Sequence, residues 1–161
     1  MNGNVIGGDP GTQGGVAVLD KMGKVLFVAA FRPDMTLNQF RDICHEAACV
    51  AGRGARGWVE QVGYMGPRPG KPKGDGGKGT FTFGRGYGWL EMGLAAHDVD
   101  VRHVSSMMWQ ARLECLTAGN KAVSHRKAMD MFGAQLGELV TKATADALLI
   151  AEYGRHMEGR P

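Results

Sequence analysis

Residues Asn4 to Leu19 read Asn-Val-Ile-Gly-Gly-Asp-Pro-Gly-Thr-Gln-Gly-Gly-Val-Ala-Val-Leu, a short apolar strand ending on Asp9, a glycine-rich turn, and a second apolar strand. No other segment restricts the fold as much. Val5–Asp9, Val16–Asp20 and Val25–Phe31 read as three short strands, the last two joined by the tight turn Lys21-Met22-Gly23, so the chain opens antiparallel. Gly11, Gly14 and Gly15 keep the first turn free of side chains, which lets a bulky charged ligand approach the backbone beside Asp9. That pattern suits a metal or phosphate site. Taken alone, Asp9 also suits a turn-forming aspartate before Pro10.

Thr36 and Gln39 have capping-box spacing, and Leu37, Phe40, Ile43, Cys44, Ala47, Ala48 and Ala51 recur at helical intervals. A helix of about four turns is expected there, closed by Gly52-Arg53-Gly54. Because Arg56–Val62 is then a strand reached through a crossover helix, it should lie parallel inside the sheet. Residues 63–79, dense in glycine, proline and lysine, read as a mobile loop or arm, with structure resuming at Thr80. Tyr87, Leu90 and Leu94 share a helical face up to His97, Val99–Val104 is the last strand, and helices are expected near Met107–Cys115, Val123–Phe132 and Ala143–His156. This order makes an α/β sandwich around one mixed sheet.

At 161 residues and 43% hydrophobic content, residues 1–161 fit one domain. No apolar run approaches the ~20 residues of a membrane span, and the N-terminus lacks the basic-then-apolar layout of a secretory signal, so a soluble, cytoplasmic protein with no membrane partner is expected. Cys44, Cys49 and Cys115 show no paired C-x-x-C spacing and read as reduced, mostly packing residues. His45 and Cys49, one helical turn apart, read as a helix face, and Met107-Met108-Trp109 and the other methionines as packing.

Two further acids stand where elements end or pack: Glu60 in Trp58-Val59-Glu60-Gln61-Val62, and Asp146 among Ala145, Ala147, Leu148, Leu149 and Ile150. A carboxylate in so apolar a stretch is costly to bury without a partner. The plainer alternatives are an edge-strand surface acid for Glu60 and a polar helix face shared with Lys142 and Glu152 for Asp146. Acids converging from separate elements can hold two Mg²⁺ ions, which take oxygen ligands and leave positions for water and phosphate oxygens. Such a pair drives in-line phosphoryl displacement, so phosphodiester hydrolysis is the reaction class this set suggests.

From Arg68 to Arg85 there are five basic residues (Arg68, Lys71, Lys73, Lys78, Arg85) against one acid, Asp75, a larger surplus than the whole chain's +3. A basic segment on an otherwise balanced chain suits phosphate-backbone binding, or simply a solvated loop. Lys78 is followed by Gly79 and Pro72 stands five residues before Gly77, so no P-loop is present. Gly84-x-Gly86-x-Gly88 lacks the dinucleotide spacing, and no nucleotide cofactor is expected.

The segments GGDPGTQGGVAVLD, WVEQV, FGRGYG and ATADALLIAEYG, in this order, resemble the RuvC-type Holliday junction resolvases, particularly their short bacteriophage relatives, over nearly the whole chain. The resemblance implies an RNase H-like three-layer sandwich around a five-stranded mixed sheet. It implies a homodimer that uses two Mg²⁺ per active site, or Mn²⁺, to place paired symmetric nicks in a four-way DNA junction. Asp9, Glu60 and Asp146 match three of the family's four metal-binding acids, and Lys121 matches a basic residue near the scissile phosphate. Phe81, Phe83, Arg85 and Tyr87 resemble the segment pressed against the junction centre, with Arg68, Lys71, Lys73 and Lys78 as phosphate contacts.

The fourth acid of the family, three residues before the last, is Ala143 here. A natively three-acid site, a substitute ligand and an inactivated, junction-binding chain are all compatible with that. A phosphotransferase of the actin and sugar-kinase type is the remaining alternative, drawing on Gly8-Asp9-Pro10-Gly11-Thr12 and Asp20 but needing two such domains.

Overall fold

A computed structural model describes residues 3–62 and 76–159. Five strands, β1 (Val5–Asp9), β2 (Gly15–Leu19), β3 (Val25–Ala30), β4 (Arg56–Gln61) and β5 (Asp100–Ser105), form one sheet in the order β3-β2-β1-β4-β5. β1 pairs antiparallel with β2 and β2 with β3, whereas β4 runs parallel to both β1 and β5. The antiparallel opening and the parallel fourth strand are as the sequence pattern predicts.

Helices cover both faces. Ile6, Val16, Val18 and Val59 point to one side, where α1 (Leu37–Ala51) and α2 (Gly76–Ala95) bury Phe40, Cys44, Leu90 and Leu94 against them. Val5, Ala17, Leu19 and Trp58 point to the other, beneath α3 (Ser106–Arg112), α4 (Lys121–Leu136) and α5 (Ala145–Glu158). This is the period-two alternation of a sheet with both faces covered. α1 begins at the expected capping box, with Thr36 and Gln39 exchanging side-chain and backbone hydrogen bonds.

One close approach sets the height of α5 on the sheet. A Cβ on Gly7 would lie 2.2 Å from both the Ala147 carbonyl oxygen and the Ala151 nitrogen, so strand and helix backbones touch there. Gly154 makes the same seam further along, where a Cβ would meet the Trp58 ring at 2.3 Å. Ala147, Ala151 and Gly154 thus form one small-residue face of α5, and its first turn is carried to the end of β1.

Several boundaries differ from expectation. α2 starts at Gly76, although three of its first four residues are glycine, so the loop expected to run to residue 79 ends earlier. Glycine disfavours helix by about 1 kcal/mol per residue, which masks a turn that extends an already packed helix. α3 stops at Arg112 because Glu114 takes a left-handed φ of 56°. Ala143, expected inside the last helix, lies before it: Thr141 Oγ1 accepts from the Ala143 and Thr144 amides, and this side-chain turn delays the helix to Ala145. Met107 and Met108 are mostly exposed and do not pack, whereas Trp109 beside them is fully buried. The three cysteines are unpaired, with Cys44 and Cys115 buried and Cys49 exposed. No helix among the described residues is long and apolar enough to cross a membrane.

Candidate active site

Because β1 and β4 are parallel, their C-terminal ends open at the same edge of the sheet, and their pairing runs to Gly8 with Val59. Asp9 and Glu60 are the next residues on each strand. By alternation, Asp9 follows Val5 and Gly7, and Glu60 follows Trp58, onto the face that α5 covers. The Gly7 seam brings the first turn of α5 to this edge, and with it Asp146. Three carboxylates distant in sequence therefore converge at one end of the sheet.

Asp9 and Asp146 are each 7% exposed; Asp9 does form the turn, through the Gly11 amide, but from a buried position, and Asp146 does not lie on a polar helix face. Glu152, which would share that polar face, is itself buried and paired with Arg155. Asp9 Oδ1 accepts from the Gly11 amide at 3.3 Å. Gly14 packs against the Asp9 backbone and carboxyl so tightly that any Cβ there would stand 2.2 Å from the Asp9 carbonyl oxygen, which is why the turn needs glycine.

Lys121, the first residue of α4 after the Asn120 cap, places Nζ 3.3 Å from Asp146 Oδ2 and 3.8 Å from Asp9 Oδ2. Burial pushes the Asp9 pKa up; Lys121 opposes that shift and Asp146 adds to it. Burial also lifts Glu60 to about 7, against the Trp109 hydrogen bond and with the help of Asp9 and Asp146. For Lys121 burial acts downward, but the Asp9 and Asp146 carboxylates outweigh it and hold the ammonium above its usual range. The site is a cluster of negative charge with one cation in it.

The chemistry of this donor set fits a hard divalent cation. Asp9 Oδ2 and Asp146 Oδ1 are buried oxygens with no hydrogen-bond partner, a costly arrangement that an oxygen-seeking ion would relieve. Among the described residues, no group of three or more acidic, histidine or cysteine side chains stands arranged to hold a metal ion.

Two site residues escaped the sequence reading. Trp109 Nε1 donates to Glu60 Oε2 at 2.8 Å from a fully buried position, fixing the carboxylate on the inner face. Its only signal was an indole one turn after the Ser105 cap, indistinguishable from core packing. His125, one turn along α4 from Lys121, pairs its Nε2 with the Val140 carbonyl oxygen at 3.0 Å and ties α4 to the segment that leads into Asp146.

Of the remaining expected residues, Arg68, Lys71 and Lys73 lie outside the described residues, and Lys78 falls in the first turn of α2. Phe81 is 70% exposed, Phe83 half-buried, and Arg85 exposed with its guanidinium 4.9 Å above the Trp89 ring. Tyr87 turns the other way, toward His103 on β5, and burial with a hydrogen bond to Glu91 lifts its pKa to about 12. Helical spacing puts Tyr87 on one face with Phe83, and Phe81 with Arg85 on another. Asp20 caps the β2–β3 turn, accepting from the Met22 and Lys24 amides at the opposite end of β2 from Asp9. It takes no part in the carboxylate cluster.

No family model matches this chain, and no curated protein sequence does. Solved structures do. The chain superposes on Thermus thermophilus RuvC in complex with a Holliday junction substrate with a TM-score of 0.62, 19% identity, and 95% of each chain covered. A second Thermus thermophilus RuvC structure gives a TM-score of 0.61 at 18% identity, covering 98% of this chain and 99% of that one. The fold is therefore the RNase H-like α/β sandwich of those proteins.

Proposed function

We propose that this chain is a divalent-metal-dependent endonuclease that resolves four-way DNA junctions, acting as a homodimer that places two symmetric nicks. One observation carries the reading: Asp9, Glu60 and Asp146 converge from β1, β4 and α5 at one end of the sheet, with two buried carboxylate oxygens that accept no hydrogen bond and Lys121 ion-paired alongside. The likeness to a RuvC structure that holds a Holliday junction supports the choice of substrate. A two-fold substrate needing two cuts supports the dimer.

Asp9, Glu60 and Asp146 would hold Mg²⁺ or Mn²⁺, and bound metal would supply an activated water and charge stabilisation for the leaving oxygen. The chain's own groups do the rest. Trp109 keeps one Glu60 oxygen engaged and so aims the other at the site. Lys121, a half-exposed ammonium at the rim, neutralises charge gathering on the phosphate, the role of preorganised cations in phosphoryl transfer. The basic residues Arg68, Lys71, Lys73, Lys78 and Arg85 neutralise the DNA backbone.

Ala143 favours a second reading, a junction-binding protein without cleavage, since a methyl group stands where the family places an acid. One assay separates the two. Purified chain is incubated with Mg²⁺ and either a four-way junction or matched linear duplex, beside Asp9→Asn, which removes one charge at nearly constant volume. The nuclease reading expects junction-selective nicking that falls by orders of magnitude in the variant while junction affinity stays. Equal nicking by both proteins would sink it, and junction binding with no nicking at any metal concentration would leave the second reading in its place.

A further inference from the structure

The connection from α3 to α4 carries Lys121 to the acids, yet packing does not hold it there. From Leu116 to Val123 no side chain is buried; the core is met at Cys115 before this stretch and at Ser124 after it. The backbone is unfavourable as well, since Ala118 and Gly119 are successive left-handed residues with φ of 46° and 88°. A residue other than glycine keeps that conformation only where its surroundings impose it.

The constraint traces back to Gln110 on α3. Its carbonyl oxygen accepts from the Cys115 amide at 2.9 Å, and its side-chain Oε1 accepts twice from Thr117, from the amide at 3.1 Å and from the hydroxyl at 3.2 Å. With its proton turned toward Gln110, Thr117 Oγ1 is free to accept from the Gly119 amide at 3.3 Å, and the Thr117 carbonyl oxygen accepts from the Asn120 amide at 2.8 Å. These bonds bracket the left-handed pair. Asn120 then caps α4 through the Ala122 amide, and Lys121 is the next residue. Gln110 also adjoins Trp109, so one short helix addresses Glu60 with one residue and the approach to Lys121 with the next.

We propose that Gln110 is a positioning residue for Lys121: acting through Thr117, it fixes the entry to α4 so that the ammonium stands beside Asp146 and Asp9 before substrate arrives. The inference rests on the nuclease reading and names the part of the chain that preorganises its cation. A cation assists charge transfer only if it is already in place, and a lysine whose own backbone can shift is not. The hydrogen-bond path from Gln110 Oε1 to Asn120 is what removes that freedom.

The experiment follows single-turnover nicking of a four-way junction with Mg²⁺, and junction affinity in EDTA, in the full chain and its variants. Gln110→Met keeps the side-chain length but removes the acceptor, so nicking should slow about tenfold while junction affinity stays at the parent's value. Gln110→Glu, which keeps an oxygen for both Thr117 donors, should restore the rate. In a Lys121→Met background, Gln110→Met should cost nothing further, because a residue that acts only through Lys121 has nothing left to position. A parental rate in Gln110→Met, no recovery in Gln110→Glu, or an equal further loss in the Lys121→Met background overturns the proposal. Thr117→Val removes only the hydroxyl link and keeps the test decisive if Gln110→Met fails to fold; it too should nick more slowly, and a parental rate there overturns the proposal. A parent chain that shows no junction-selective nicking condemns the nuclease reading and the positioning role with it, whereas a nicking parent matched by Gln110→Met removes the positioning role alone.

Discussion

Replacing Glu60 with glutamine should make the metal-free protein more stable. Glu60 is pushed from 4.5 to about 7 chiefly by burial, so at pH 8 the folded protein holds a charge that its surroundings resist. At ~1.4 kcal/mol per pKa unit, this amounts to about 3 kcal/mol. Its sign follows from proton counting. Between pH 4.5 and 7 the folded state binds more protons at Glu60 than the unfolded state, so this residue's contribution is harmless below pH 4.5 and destabilising above pH 7. Glutamine keeps an oxygen for the Trp109 indole and removes the charge, so it should recover most of the cost. For a domain of this length each kcal/mol moves Tm by roughly 2–4 °C, giving a gain of about 6–12 °C at pH 8. The assay is thermal unfolding of both proteins in EDTA from pH 4.5 to 8. The Tm difference should be small at the acid end, open as pH rises from 4.5 toward 7, and level off above 7. Added Mg²⁺ should then raise the parent's Tm and leave the variant's nearly still. A variant no more stable than its parent at pH 8, or a gap that does not change with pH, would refute the argument that Glu60 is held charged against its environment.

Trp109→Phe keeps an aromatic in the core but leaves Glu60 Oε2 without its donor; stability should fall by about 1–3 kcal/mol, and the acid limb of the nicking pH profile should move to higher pH because that hydrogen bond holds the Glu60 pKa down. An unchanged pH profile would reduce Trp109 to packing. Replacing Arg68, Lys71, Lys73 and Lys78 together with alanine should flatten the salt dependence of junction binding by about 0.9 in log K per log salt for each phosphate no longer neutralised, and a parental slope would show these residues to be merely solvated. Ala143→Asp adds a carboxylate in the turn before α5, where the Ala143 carbonyl already crowds Gly15, the strand partner of Asp9. Nicking should then saturate at lower Mg²⁺, as read from rate against metal concentration; no gain at any concentration would mean the site is natively three-acid or completed elsewhere.

Much of this architecture was legible in local pattern. The strand–glycine–strand opening, the capping box at Thr36 and the crossover into Arg56 are short-range signals, and the sheet order follows from them with little freedom. Asp9, Glu60 and Asp146 stood out because a carboxylate amid apolar residues is conspicuous before any fold is known. What local pattern could not carry was distance. Trp109 reaches Glu60 across 49 residues and Lys121 reaches Asp146 across a helix start, and neither side chain differs in sequence from an ordinary core indole or a solvated lysine. The start of α2 was hidden by glycines whose intrinsic preference opposes the helix they extend, and the delay of α5 by a threonine turn that competes with helical hydrogen bonds. Sequence by itself determined which groups are expensive to bury; only the tertiary structure decided which of them meet, because the Gly7–Ala147 contact, backbone against backbone, sets how far along the sheet Asp146 is carried.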